Sequence, residues 1–146
     1  MSDNENHNFL FFDYKGSEYT PDKVTRYLSF NVKLYYGPFS GETEFETTAR
    51  SLEHFVKELN QFSKSLNTSP KFIAGRGEDL YFSLTFSKYG LRGHVLLECE
   101  LRQPGTGTNF NSVHAYQSME LNEFDETVRS FQWVLDHEER STITIG

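Results

Sequence analysis

The stretch "LSFNVKLYYGPFSGETEFETTARSLEHFVKELNQFSKSL", residues 28–66, changes its period once, and that change decides the fold. In its first part Leu28, Phe30, Val32, Leu34 and Tyr36 share one parity, while Ser29, Asn31, Lys33 and Tyr35, with Tyr27 just before them, share the other. Successive side chains of an extended chain point to opposite faces, so this pattern predicts a half-buried strand. Gly37-Pro38 interrupts it, and the alternation resumes with Phe39, Thr43, Phe45 and Thr47 opposed by Glu42, Glu44 and Glu46. A hairpin follows, with three carboxylates in a row on the outward side of its second strand. From Ala49 the apolar residues Leu52, Phe55, Val56, Leu59, Phe62 and Leu66 recur at spacings of three and four, the stripe of an amphipathic helix. Thr48 or Ser51 can cap its start. The segment Asn67 to Pro70 ends it, since proline has no N–H to donate and its predecessor avoids helical geometry. Asn67-Thr68-Ser69 matches a glycosylation acceptor but is read as that helix-ending turn.

Working outward, residues 1–8 are polar and read as a flexible lead-in, followed by the apolar burst "FLFFDY" of a first strand. Beyond the helix come a short strand "KFIA", then "LYFSLTF" with Leu80, Phe82, Leu84 and Phe86 on one face, then "GLRGHVLLECEL". In the last of these Val95, Leu97, Cys99 and Leu101 oppose His94, Leu96, Glu98 and Glu100, so the thiol and the imidazole do not meet. "NFNSVHAY" reads as one more strand, with its inward face unassigned. A second helix from about Met119 to Asp136 groups Leu121, Phe124, Val128, Phe131 and Leu135, with Trp133 nearly opposite. The expected architecture is α+β: a mostly antiparallel, curved β-sheet with two amphipathic helices packed on one face, as a single domain over residues 9–140 and a tail over 141–146.

Composition bounds the function. The formal net charge of −7 and the lack of a Lys/Arg cluster argue against a nucleic-acid groove, which works by releasing counterions from phosphates. One cysteine makes no intrachain disulfide, no basic-then-apolar leader opens the chain, and no run approaches the ~20 apolar residues of a membrane-spanning helix. A cytoplasmic protein that does not cross a membrane is expected. No close His or Cys pair has metal-ligand spacing, no G-x-S-x-G elbow is present, and Gly75-Arg76-Gly77 and Gly105-Thr106-Gly107 lack the phosphate-loop pattern and read as hairpin loops. Neither a metal nor a cofactor is expected, and no catalytic residues are assigned.

The remaining signal is collective. With the helices on the apolar side, Glu42, Glu44, Glu46, Glu98 and Glu100 would share the bare side with Tyr27, Tyr35 and Tyr81. Such a side is either a solvated outer face or a docking surface for a cationic protein, with carboxylates steering the encounter and rings supplying contact area. Trp133 is a second candidate surface, for helix-end packing or for contact with a partner or a second copy in a homodimer.

Several phrases resemble the WapI-type bacterial immunity proteins. The first is "FSGETEFETTARSLEHFVKELNQFSKSL", a threonine-ended strand entering a helix with Leu52, Phe55 and Leu59. The second is the strand pair "LYFSLTFSKYGLRGHVLLECELR" with Gly93, His94 and Val95. The third is "YQSMELNEFDETVRSFQWVL", where Gln117, Ser118 and Leu121 open the final helix. The resemblance spans roughly residues 25–136. It implies a non-catalytic antidote that binds and blocks the C-terminal domain of a cognate secreted toxin, often a nuclease. A basic toxin would be drawn to the acidic side. A small-ligand or housekeeping domain, and an enzyme whose site assembles only in space, are the competing readings.

Overall fold

A computed structural model describes residues 10–76, 80–90, 93–104, 110–137 and 139–145. The lead-in at 1–8, and the loop glycines Gly77, Gly105 and Gly107, lie outside the described residues. Eight strands and two helices alternate as β1 (Leu10–Tyr19), β2 (Arg26–Tyr36), β3 (Phe39–Thr48), α1 (Ala49–Ser65), β4 (Lys71–Arg76), β5 (Leu80–Tyr89), β6 (His94–Pro104), β7 (Phe110–Met119), α2 (Leu121–Asp136) and β8 (Ser141–Ile145). This is an α+β fold with antiparallel strands. The strands divide, however, into two four-stranded sheets: sheet A in the order β3-β2-β1-β8 and sheet B in the order β4-β5-β6-β7. Alternation along a strand specifies its faces but not its neighbours, and two sheets with facing apolar sides carry the same pattern as one curved sheet with a covered side.

Residues 141–145, expected as a tail, form β8, pairing with the first half of β1 from Leu10↔Ile145 to Tyr14↔Ser141. Ile143 and Ile145 are buried. Their period-2 spacing supplies the inward face that a solvated tail would lack. With β8 in place the layout repeats: β8-β1-β2-β3 leads into α1 as β4-β5-β6-β7 leads into α2. Each helix delivers the chain to the edge of the opposite sheet.

Local chemistry explains the joints. The β2–β3 hairpin closes on Gly37-Pro38, where Gly37 takes φ 63° without the penalty a Cβ would bring. Thr48 caps α1, its hydroxyl accepting from Ser51 N at 3.1 Å, and Leu66 ends the helix in the left-handed region with its N–H on Phe62 O. At the start of α2 the carboxylate of Glu123 accepts from Glu120 N at 2.9 Å. Gly41 lets β3 cross close to sheet B, since a Cβ there would stand 3.2 Å from Val113 Cγ2.

The buried residues form one cluster, dominated by aromatic rings. Phe45 stacks on Phe30 at 5.2 Å and on Phe82 at 5.3 Å, joining the two sheets, while Phe12 meets Phe82 and Phe131 edge-on at 5.4 Å. Phe62 and Phe124, 5.3 Å apart, join the helices to each other. Phe131 of α2 also meets Phe55 of α1. The stripe expected on α1 is buried from Leu52 to Phe62. On α2 the buried set is Phe124, Thr127, Val128, Phe131 and Val134. Leu121 is exposed, and Leu135 and Trp133 are half-buried against the cluster's margin, so the buried face is rotated toward Val134. In β7 the unassigned inward face is Ala115 and Met119, with Val113 half-buried beside them.

Candidate functional site

Because the two sheets share one core, their outer faces look away from each other, and the acidic residues expected on one side are divided between them. Sheet A carries Glu42, Glu44 and Glu46, all exposed, beside β2, where Tyr27 and Tyr35 are also exposed. The ladder fixes their neighbours: Lys33 stands opposite Glu42, Asn31 opposite Glu44, and Ser29 opposite Glu46. On the other flank Asp13 of β1 stands opposite Asn31, and Phe11 opposite Lys33. Phe11 meets Tyr35 edge-on at 5.9 Å, and Thr142 of β8 donates to Asp13 Oδ1 at 2.7 Å.

Asn31 is the residue that sequence reasoning missed. It lies on the outward parity yet is only 6% exposed, and its Nδ2 donates to Glu42 Oε2 at 2.9 Å. That bond fixes the carboxamide's orientation, because the reverse would set its oxygen against a carboxylate. Its Oδ1 is then a buried acceptor without a partner. Among the described residues Glu42, Glu44 and Glu46 make no ion pair, even with Lys33 across the ladder. The signal available in the sequence was a short polar residue flanked on its own face by Lys33 and Ser29, opposite a glutamate row.

Sheet B presents a different surface. Glu98 and Glu100 are on its outer side, but Glu100 Oε2 accepts from Arg102 Nη2 at 3.0 Å, and Glu98 Oε2 lies 2.8 Å from His114 Nε2. The His114 ring in turn stacks on Tyr116 at 4.9 Å. These two carboxylates therefore belong to a locally partnered polar patch, not to the row on sheet A. Tyr81 is in β5 opposite Arg102, and its side chain lies outside the described residues. Trp133 belongs to neither face: its ring stacks on His137 at 4.0 Å and 7°, at the end of its own helix. Thus Glu42, Glu44, Glu46, Tyr27 and Tyr35 come together, while Glu98, Glu100 and Trp133 are elsewhere.

Cys99 is fully buried opposite Ala115, and burial pushes its thiol far above the usual range, which leaves it protonated and unreactive. His94 lies on the other face of the same strand, as the alternation requires. Among the described residues no three His, Cys, Asp or Glu side chains converge as metal ligands. No described helix is long and apolar enough to cross a membrane.

No protein-family model matches the chain, and no curated protein matches it. Among solved structures the chain is similar to WHY1 from Arabidopsis thaliana, with a TM-score of 0.54 and 14% identity over 88% of this chain and 78% of that one. At that identity the likeness is one of fold alone.

Proposed function

We propose that this protein is a non-catalytic immunity protein of the WapI type, which binds the C-terminal domain of a cognate secreted toxin in the cytoplasm and blocks it through the outer face of sheet A. The observation that carries the reading is the row Glu42, Glu44 and Glu46, without cationic partners among the described residues, lying between exposed Tyr27 and Tyr35. Carboxylates that serve only solubility need not share one face with aromatic side chains, whereas a docking surface for a basic protein gains steering from the first and contact area from the second. Asn31 sharpens the partner's chemistry. A guanidinium or ammonium group entering between Glu44 and Asp13 would meet two carboxylates directly above Asn31, whose buried Oδ1 has no donor. Glu98, Glu100, Tyr81 and Trp133 are no part of this surface.

The test pairs rescue with kinetics. Co-expression with the C-terminal domain of the toxin encoded beside it should restore growth, and the two should co-purify. Replacing Glu42, Glu44 and Glu46 by lysine should slow association by roughly tenfold to a hundredfold at low salt, with a smaller difference at high salt. Association as fast as the parent's at low salt would remove this face from the reading. Failure of any rescue by the parent would remove the toxin partner itself.

A further inference from the structure

The two sheets have four edges, and three of them are protected against pairing with another chain. The β3 edge carries the glutamate row, which would meet its own copy like charge to like charge. The β4 edge is six residues long with Lys71 at its start, and β8 is five residues long. Charge and shortness are the ordinary defences of a sheet edge. The β7 edge has neither. It runs ten residues, Phe110–Met119, contains no Asp, Glu, Lys, Arg or Pro, and keeps an unbroken register with β6 from Pro104↔Phe110 to Val95↔Met119, without a bulge. Its other side has no strand partner among the described residues.

The surroundings of β7 also differ from the rest of an acidic protein. Glu100 is ion-paired with Arg102, and Glu98 Oε2 lies 2.8 Å from His114 Nε2, so this edge presents fewer unpartnered carboxylates to a second copy than the glutamate row would. Exposed side chains near the edge are aromatic or small: Tyr116 is 47% exposed, and Ser112 and Ser118 are exposed on either side of it.

We propose that β7 is a self-pairing edge, at which two copies of this chain join antiparallel about a dyad at Ala115 and extend sheet B into one continuous sheet of twice its width. The dyad must fall on a residue, because only then do outward side chains oppose outward ones. A centre at His114 would set that imidazole against its own copy. A centre at Ala115 sets the smallest side chain of the strand on the axis, places His114 against the partner's Tyr116, and continues the ring stack already present within each copy. It also places Ser112 against the partner's Ser118, and the reverse. Sheet A is left bare on each copy, so the assembly would present two glutamate rows. The inference does not rest on the toxin reading and stands or falls separately.

The experiment is molar mass by light scattering over a dilution series of the full chain, with charge variants at the two serines. The parent should weigh twice the 17.0 kDa of one chain. S112K/S118K places like charges at both ends of the joint, whereas S112K/S118E places opposite charges there with the same lysine at residue 112. The first should dissociate at least about tenfold more readily than the second. Mixing S112K/S118K with S112E/S118E should restore the dimer, which also shows that both variants are folded. A parent that stays at 17.0 kDa up to roughly the concentrations where weak interfaces form overturns the proposal. So does a dimer indifferent to the charge pattern. A monomer whose β7 amides become protected from exchange only on adding a basic partner would overturn self-pairing and assign the edge to that partner.

Discussion

Replacing Arg26 by alanine tests how sheet A holds the end of α2. The last turn of a helix leaves carbonyl oxygens without intrahelical donors, and α2 has no basic residue in its own last turn. Arg26, at the start of β2, supplies the missing charge from elsewhere in the chain. Its Nη1 donates to Leu135 O at 2.9 Å, and its Nη2 donates to His137 O at 3.0 Å and Val134 O at 3.4 Å, with Tyr14 Oη at 3.1 Å beside them. A cation at a helix C-terminus is worth about 0.3–1 kcal/mol, and hydrogen bonds from a charged group about 1.5 kcal/mol or more each when water is excluded. Arg26 is half-buried, so water replaces part of these bonds in the variant, and its buried Nε, which has no partner, offsets part of the gain. The expected net loss is about 2–3 kcal/mol, a fall in Tm of roughly 6–10 °C for a chain of this size. Arg26→Lys should recover no more than about 1 kcal/mol, because one ammonium cannot bridge carbonyls spread over the helix end. Urea unfolding gives the energies, and hydrogen exchange over 139–145 should rise in the alanine variant, since the His137 carbonyl precedes β8. A loss under about 0.5 kcal/mol, or full recovery by lysine, would refute the bridging role.

Two further outcomes follow from the core. Phe45→Ala removes the ring that stacks on both Phe30 and Phe82, next to a small apolar void of about 10 Å³ lined in part by Phe12, Phe55 and Phe131, and should cost about 3–5 kcal/mol in chemical denaturation; a cost below about 2 kcal/mol would mean the sheets repack across the gap. Cys99 should resist thiol reagents in the native protein at neutral pH and react on unfolding. Its raised pKa means that stability is unaffected while the unfolded thiol is still protonated and falls above about pH 8.5, by up to ~1.4 kcal/mol per pH unit. Cys99→Ala should abolish that alkaline slope, and a slope that persists in the variant would assign it to other groups.

Much of this was legible in the chain. The alternation from Leu28 to Thr48, the helical stripe from Leu52 to Phe62 and the cap at Thr48 are local signals, and they fix faces and boundaries. Neighbour relations were not legible, because they depend on pairing between distant segments. Ser141–Ile145 alternates correctly, yet five residues become a strand only where β1 offers an edge. The same gap explains the divided site. Glu98 and Glu100 alternate just as Glu42, Glu44 and Glu46 do, but what separates them is which sheet each strand joins and that His114, sixteen residues on, lies beside Glu98. In β7 the large Phe110 and Tyr116 pull the reading toward their own parity, while small Ala115 faces the core.

The exchange of edges between the halves has a consequence for how the chain acquires its shape. Phe12 and Tyr14 lie in β1, but the strand that flanks them on one side comes from 141–145, which follows every other described element in chain order. Until that strand pairs, β1 has an open side next to two of the largest side chains in the interior. Sheet A is therefore closed by contacts of very long sequence separation, which slow folding and make that closure sensitive to changes in Ser141–Ile145.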